Sequence, residues 1–408
     1  MAKYRYDKAA LRGLGVGAFL GEVKEREKHI AQAPAEEIRS VFNANVIAGK
    51  LHPHTQAVIV SEIREYPDAK LYTLVPDTER GTQALAYFRA GQYISIYVET
   101  GEGKGISKPY TLCSDPKDAL GDGQTSYRIL IKRNAKGYAS EEILNEWQPG
   151  TRTVISGPLG NFYYQKLRDA GHVVAAAGGS GITPFASMAA AIVSGAEDFS
   201  LTILYGSKTE DSILLKDRLQ ELAENSAGRV RIVHVLSDEE REGYEHGFIT
   251  AELIRKYAGE GDYSLYVCGP KAMYSFMRGE AAKLGMTARR ARFEVAGEYG
   301  DPSGAEGYPA EAAGKSFRVQ VLAHGETFET VCRAEETLLH ACEQAGIGVT
   351  ADCRSGICGW CRSRLIRGEV FTPPDADGRR EADRQFGWIH PCAAYPLSDV
   401  EIEVFPSM

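Results

Sequence analysis

The stretch Ala351-Asp-Cys-Arg-Ser-Gly-Ile-Cys-Gly-Trp-Cys-Arg-Ser-Arg-Leu-Ile-Arg367 decides the reading of the chain, because three cysteines fall within nine residues of it. Four residues separate Cys353 from Cys358, two separate Cys358 from Cys361, and Cys392 follows after a further thirty. This is a spacing with which four thiolates hold a [2Fe–2S] cluster. Thiolates are soft, charged ligands suited to iron, and the small residues Gly356 and Gly359 let a loop fold round a cluster with its N–H groups turned toward the sulfurs. A structural zinc knot or disulfides are the alternatives, and the four-residue gap does not match the repeated Cys-x-x-Cys pairs of zinc sites.

From about Lys315 onward the chain resembles a plant-type ferredoxin domain of α+β β-grasp fold, Cys353-Arg-Ser-Gly-Ile-Cys-Gly-Trp-Cys361 being close to the cluster loop of oxygenase reductases. The resemblance implies that Cys353, Cys358, Cys361 and Cys392 are the metal ligands. His390 lies two residues before Cys392, but neither loop offers the second histidine that a Rieske centre needs, so it reads as an ordinary histidine.

A chain of 408 residues is too long for one core and implies several domains. With 55 acidic against 47 basic side chains it carries no electrostatic footprint for nucleic acid. From Ser316 onward there are 9 Arg, no Lys and 14 Asp plus Glu, so most of the formal charge of −8 belongs to the ferredoxin-like part. Eight cysteines in this length do not make a disulfide scaffold. The opening Met-Ala-Lys-Tyr-Arg-Tyr-Asp-Lys has no apolar leader, and the expectation is a cytoplasmic protein. The uncharged run from Ala170 to Ala196 imitates a membrane span in length, but Gly178, Gly179, Gly181 and Pro184 make it a strand, turn and helix of a water-soluble core.

Residues 1–52 read as a helical extension, glycine-rich from Leu14 to Gly21, charged from Glu22 to Gln32, with a short helix opening at Pro34 and stopped at Gly49. Residues 53–168 change to short alternating runs, among them Ala57–Val60, Leu71–Val75, Tyr93–Val98 and Tyr127–Lys132, the pattern of an antiparallel β-barrel. Two motifs sit on it. Lys108-Pro109-Tyr110-Thr111 offers a cation, a ring and a hydroxyl, and Gly137-Tyr138-Ala139-Ser140 opens a helix whose free N–H groups suit a pyrophosphate. Together they resemble the flavin domain of the ferredoxin–NADP reductase superfamily, with Lys108 in place of its usual arginine, a point charge for a planar fork. The helix-start motif favours FAD over FMN, and Cys113 reads as a small buried hydrophobe.

Residues 169–296 read as an α/β domain with a parallel sheet. Val173–Ala177 is a buried strand leading into Gly178-Gly179-Ser180-Gly181-Ile182-Thr183-Pro184 and an apolar helix, and a later strand ends in Cys268-Gly269-Pro270-Lys-Ala-Met273. The pair of motifs resembles the nicotinamide domain of the same superfamily. That resemblance implies that Gly178, Gly179, Ser180, Gly181 and Thr183 line a pyrophosphate, with Ser207 beside them, and that Cys268, Gly269, Pro270 and Met273 flank a nicotinamide near the flavin. Lys208 suits the extra phosphate of NADPH, while Asp211 and Asp238 suit free ribose hydroxyls, which favours NADH. Glu294 matches the acidic residue that relatives bring toward the flavin, although Ala296 stands where they place an aromatic, with Phe293 or Tyr299 as substitutes. Tyr110, Cys268 and Glu294 are the candidate catalytic residues. Residues 297–315, rich in glycine, read as an interdomain linker that lets the ferredoxin domain (316–408) move.

Nicotinamide gives up two electrons as hydride and a [2Fe–2S] cluster takes one at a time, so a flavin must stand between them. The resemblance, over roughly residues 55–408, is to three-domain oxygenase reductases of the phthalate dioxygenase reductase and phenylacetyl-CoA epoxidase reductase type. It implies an NAD(P)H-dependent reductase delivering electrons to a partner oxygenase or other metalloenzyme. Arg354, Arg362, Arg364 and Arg367 are candidates for a docking face; the competing reading is a self-contained diaphorase or redox sensor with no dedicated acceptor.

Overall fold

The computed structural model describes residues 16–32, 55–99, 105–120, 125–133, 138–294, 297–323 and 325–404. The chain divides into two units at Lys50/Leu51. Of the first, helix α1 (Val16–Gln32) is described; it covers the charged stretch and most of the glycine-rich one, with Glu25 and His29 one turn apart at 3.6 Å. The short helix expected from Pro34 lies outside the described residues.

The second unit opens with strands β1 (Thr55–Tyr66), β2 (Ala69–Pro76), β3 (Tyr93–Glu99), β4 (Gly105–Thr111) and β5 (Tyr127–Lys132), helix α2 (Tyr138–Glu146) and strand β6 (Arg152–Ser156). The strands form one antiparallel sheet in the order β4-β3-β6-β1-β2-β5. It curls until its edges touch at the single bridge between Leu112 and Ile129. Alternation supplies the interior: Val58, Val60, Tyr72, Leu74, Ile94, Ile96, Ile129 and Ile131 point inward. Ile143, Leu144 and Trp147, from α2 and its end, join that core, where the Tyr72 hydroxyl donates to the Ile143 carbonyl at 3.0 Å.

Next come β7 (His172–Gly178), α3 (Thr183–Val193), β8 (Ser200–Ser207), α4 (Lys216–Glu224), β9 (Val230–Leu236), β10 (Glu245–His246), α5 (Ala251–Ala258), β11 (Ser264–Cys268), α6 (Lys271–Lys283) and β12 (Ala291–Phe293). The sheet order is β10-β9-β8-β7-β11-β12, parallel throughout. Alternate residues of β7 serve opposite faces. Val173, Ala175 and Ala177 pack with Phe185 of α3 and Leu219 of α4, whereas Val174 and Ala176 pack with Ile254 of α5 and Met277 of α6. The chain winds outward from β7 through β8 and β9, then returns to place β11 on the other side of β7. The switch point therefore lies between the carboxyl ends of β7 and β11, the place where such sheets bind ligands. Ala170–Ala196 is thus part of this sheet and its helix, and among the described residues no helix is long and apolar enough to cross a membrane.

The apolar core on one face of this sheet also takes in Ala69, Ala90, Cys113, Leu130, Phe162 and Tyr164 from the barrel side, so the expected boundary near residue 168 falls on a shared core.

Last come β13 (Ser316–Ala323), β14 (Glu326–Arg333), α7 (Leu338–Gln344), β15 (Ser363–Arg367), β16 (Val370–Phe371), α8 (Glu381–Gln385), β17 (Trp388–Ile389), β18 (Tyr395–Pro396) and β19 (Val400–Val404). The main sheet runs β14-β13-β19-β15-β17, with β13 and β19 parallel at its centre and α7 packed on it, the β-grasp arrangement expected. Thr337 caps α7 by accepting from the His340 N–H at 3.2 Å. Ile402 of β19 is fully buried in this small core. Ile402→Ala is expected to cost about 2–5 kcal/mol, because truncating a fully buried side chain loses its burial and leaves a cavity; a lowered urea midpoint followed by circular dichroism is the check.

Candidate functional site

The cysteine loop runs between α7 and β15, and Cys392 comes up from the 3₁₀ turn Pro391–Ala393 after β17. Cys353, Cys361 and Cys392 are buried and Cys358 is exposed; all eight cysteines of the chain are unpaired, which removes the disulfide reading. Backbone donors converge on the sulfurs: Ser355 N–H and Cys358 N–H on Cys353 Sγ at 3.4 and 3.3 Å, and Gly356 N–H on Cys392 Sγ at 3.3 Å. Cys361 Sγ lies 3.3 Å from Cys392 Sγ. Hydrogen bonds from the Cys358 and Cys392 thiols hold the Cys353 thiol far below its ordinary value. The Ser355 hydroxyl is buried with no protein partner. Charge-accepting sulfurs, amides aimed at them and a spare hydroxyl fit a thiolate-held cluster.

The loop closes because Gly356 adopts φ +79°, where a Cβ would stand 2.0 Å from the Ala376 carbonyl oxygen. His390 is structural, its Nδ1 2.6 Å from the Gly356 carbonyl.

Lys108, Pro109, Tyr110 and Thr111 lie on β4, paired with Ile96, Ser95, Ile94 and Tyr93 of β3. Tyr110 packs partly buried against the barrel core, and burial pushes its hydroxyl up. Gly137 lies outside the described residues. Ala139 is buried in the barrel core and Ser140 is buried at the start of α2.

Gly178 to Thr183 form the end of β7, a 3₁₀ turn and the first residue of α3. A Cβ on Gly181 would stand 2.2 Å from the Cys268 carbonyl oxygen, so only glycine lets the ends of β7 and β11 press together. A cavity of about 490 Å³ opens there, with Gly178, Gly179, Ser207, Lys208, Ser237, Pro270 and Met273 in its wall, Phe248 and Phe276 at one side and Lys132 at another. The buried Ser207 hydroxyl has no partner of its own, as a group awaiting a ligand would not. Cys268 is buried at its strand end, and burial raises its thiol well above the usual range. Ser180, Thr183, Cys268 and Gly269 belong to the strand ends beside the cavity and not to its wall.

Glu294 follows β12, with its N–H on the Val267 carbonyl at 3.0 Å and its own carbonyl accepting from the Tyr274 hydroxyl. Phe293 packs beside Tyr274, and Tyr299 packs on the cysteine loop near Cys392.

Three readings need correction. Arg354 does not belong to a docking face: it is 1% exposed, its guanidinium bound by Glu298 and Glu343. Arg362 is committed to Asp383 at 2.9 Å and lies over the Trp388 ring at 3.5 Å. The stretch 297–315 is not a free hinge at its start, because Lys108 Nζ holds Glu298 at 2.8 Å, Lys271 covers the Tyr299 ring at 3.7 Å and the Tyr395 hydroxyl donates to the Gly300 carbonyl at 2.6 Å. Nothing in a glycine-rich stretch signals a carboxylate held between two cations, so Glu298 could not be singled out from the sequence. Burial would raise it, but Arg354 and Lys108 bring it to about 2.

Comparison with known proteins agrees with this layout. Models of an oxidoreductase FAD-binding domain, an oxidoreductase NAD-binding domain and a 2Fe-2S iron-sulfur cluster binding domain match residues 57–164, 176–279 and 321–397. The ferredoxin reductase component of 3-ketosteroid-9-alpha-monooxygenase from Mycobacterium tuberculosis is 30% identical over 86% of this chain and 95% of its own. A component of the 1,2-phenylacetyl-CoA epoxidase of Escherichia coli is 25% identical over 86% of this chain and 97% of its own. The structure of phthalate dioxygenase reductase superposes with a TM-score of 0.61 at 21% identity, covering 86% of this chain and 98% of the other, a likeness of fold.

Barrel, parallel sheet and β-grasp lobe define a flavin- and nicotinamide-dependent iron–sulfur reductase. The chain belongs to the ferredoxin–NADP reductase superfamily, in the three-domain oxygenase-reductase type whose [2Fe–2S] domain comes last. It is an NAD(P)H-dependent oxidoreductase that passes electrons through FAD to a [2Fe–2S] cluster.

Two outcomes test the site. Gly356→Ala should yield protein that retains flavin but loses most of its iron, read by metal analysis and visible absorbance. Burial first, and the Cys353 charge second, push the Glu294 carboxyl up to about 8 from its usual 4.5. The folded chain then keeps a proton that the unfolded chain releases, so this group's contribution makes stability fall as pH rises from about 4.5 to about 8. Melting curves across that window should show a flatter pH dependence for Glu294→Gln; parallel curves would mean that Glu294 is already ionised.

Proposed function

We propose that this chain takes hydride from NADH at the switch point of the parallel sheet and delivers electrons singly, through the Cys358 side of the cluster, to a protein acceptor. The acceptor class is an oxygenase or another metalloenzyme, as the names of the relatives indicate for their own systems. The observation that carries the route is the contact of the flavin strands and of the interdomain segment with the cysteine loop: Ser95 of β3 donates to the Asp352 carbonyl at 3.1 Å and to its carboxylate, and Gly297 N–H of the segment reaches the Cys353 carbonyl at 3.3 Å.

When bound, nicotinamide supplies an electron pair as hydride, FAD accepts the pair and releases electrons singly, and the cluster carries one at a time. The chain's own residues do the placing. The turn Gly179 to Ile182 at the start of α3 offers backbone N–H groups for a pyrophosphate, with Ser207 and Ser237 beside it. Asp238 accepts from the Ser237 hydroxyl at 2.5 Å, which sets a carboxylate beside the cavity wall and favours a ribose with free hydroxyls over a phosphorylated one. Cys268, kept neutral by burial, offers the nicotinamide a small uncharged group and no nucleophile. Tyr110 offers the flavin a ring, the start of α2 at Ala139 and Ser140 offers N–H groups to its pyrophosphate, and Glu294 places a protonated carboxyl near the junction.

At the exit, Cys358 is flanked by Ile357 and Trp360, 54% and 40% exposed. Of the four arginines first considered for docking, Arg364 and Arg367 remain at the surface, the latter 3.8 Å from Glu401.

The deciding experiment is anaerobic titration with NADH and with NADPH, followed by absorbance and electron paramagnetic resonance. NADH is expected to bleach the flavin and raise a rhombic iron–sulfur signal at lower concentration than NADPH. Equal response to NADPH would refute the coenzyme assignment, and flavin bleaching with no iron signal would refute the electron route.

A further inference from the structure

Arg354 follows the first cluster ligand directly, yet its side chain turns away from solvent and its backbone sits at φ +55°, a conformation that a non-glycine residue adopts only when its surroundings impose it. The surroundings are two carboxylates. Glu343 of α7 accepts from Nη1 and Nη2 at 2.6 Å each, a two-pronged pair. Glu298, from the segment after β12, accepts from Nε at 2.7 Å and also from Nη2. The same Glu298 oxygen takes the Lys108 ammonium of β4 at 2.8 Å, and Arg354 Nη1 reaches the Ser107 carbonyl of β4 at 3.1 Å. Two cations and two carboxylates thus balance in a mostly buried group that joins the flavin strand, the interdomain segment, the cluster loop and the ferredoxin helix.

We propose that Glu298 is the positioning residue for internal electron transfer: it ties the cluster loop to β4 and so fixes the separation across which an electron leaves the flavin. Glu298 is not one of the cysteine ligands and does not line the cavity at the switch point; it acts through Lys108 and Arg354. Tunnelling through protein weakens steeply with distance, so a loosened loop slows this step and leaves hydride transfer alone. Glutamine at 298 keeps the shape but leaves two cations facing a neutral amide, whereas aspartate keeps the charge at a shorter reach. This inference rests on the electron route proposed above, and the test separates the two.

Full-length wild type, Glu298→Gln and Glu298→Asp are mixed anaerobically with NADH in a stopped-flow instrument. Flavin bleaching and growth of the reduced-cluster signal are timed separately, and iron content confirms that the cluster is loaded. Expected for Glu298→Gln is an unchanged bleaching rate, cluster reduction slowed about tenfold or more, the scale on which small misplacements of reacting groups act, and faster proteolytic cutting within residues 302–314 with no reductant present. Glu298→Asp should recover part of both. Ser95→Ala, which removes a second tie to the loop, should slow cluster reduction by a smaller factor and covers the case in which Glu298→Gln does not fold. Cluster reduction at wild-type speed in Glu298→Gln, or in Ser95→Ala should the former fail, overturns the positioning role. A wild-type cluster that NADH never reduces overturns the route itself.

Discussion

Electrons cross a protein only where the groups that carry them are held close, and that requirement governs how the three lobes meet. A reductase that takes a pair and releases single electrons must bring a dinucleotide site, a flavin site and a cluster into one neighbourhood while each is built by a different fold. The β4 strand is where the demands converge. Its Tyr110 packs on the barrel, its Lys108 reaches the interdomain segment, and the carbonyl of its Ser107 meets the cluster loop. The parallel sheet approaches from the other side through a continuous apolar core that includes Phe162, Phe185 and Tyr266.

Each lobe solves its part with the geometry its sequence allows. Close approach of β7 and β11 requires that Gly181 lack a side chain, and that approach creates the crevice of the switch point. Folding a cysteine loop onto two irons requires positive φ at Gly356 and amides free to face sulfur. Arg354 is the exception that explains itself only in three dimensions, a large cation at positive φ beside a metal ligand, held there by carboxylates from two other segments.

Local features were legible in the sequence. Cysteine spacing, alternating strands and strand–glycine–helix junctions are written within a few dozen residues; they gave a cluster ligand pattern, an antiparallel barrel and a parallel α/β sheet, while the β-grasp fold of the last lobe came from the resemblance of its cluster loop. What escaped was written across distance. Lys108 and Glu298 are 190 residues apart and Arg354 is 247 from Ser107, so no periodicity or motif could join them. The arginines round the cluster loop looked alike in sequence, and only burial separates Arg354 from Arg364. The glycines after Glu294 pointed to freedom, yet Glu298, Tyr299 and Gly300 are each held by a specific partner. In the first unit, read as a helical extension, the described helix α1 lies over the charged stretch, where a turn-spaced charge pair and no apolar signature marks its bounds.

The lobes are joined by two unlike seams. Between barrel and parallel sheet the seam is broad and oily, with contacts that lose little when one surface slips slightly past the other. Between barrel and ferredoxin lobe it is polar, made of hydrogen bonds and of ion pairs through Glu298, and directional bonds do not forgive slippage. A coenzyme that must arrive and depart at every catalytic cycle is thus served by the forgiving joint, while the resident iron, which never leaves, is served by the rigid one.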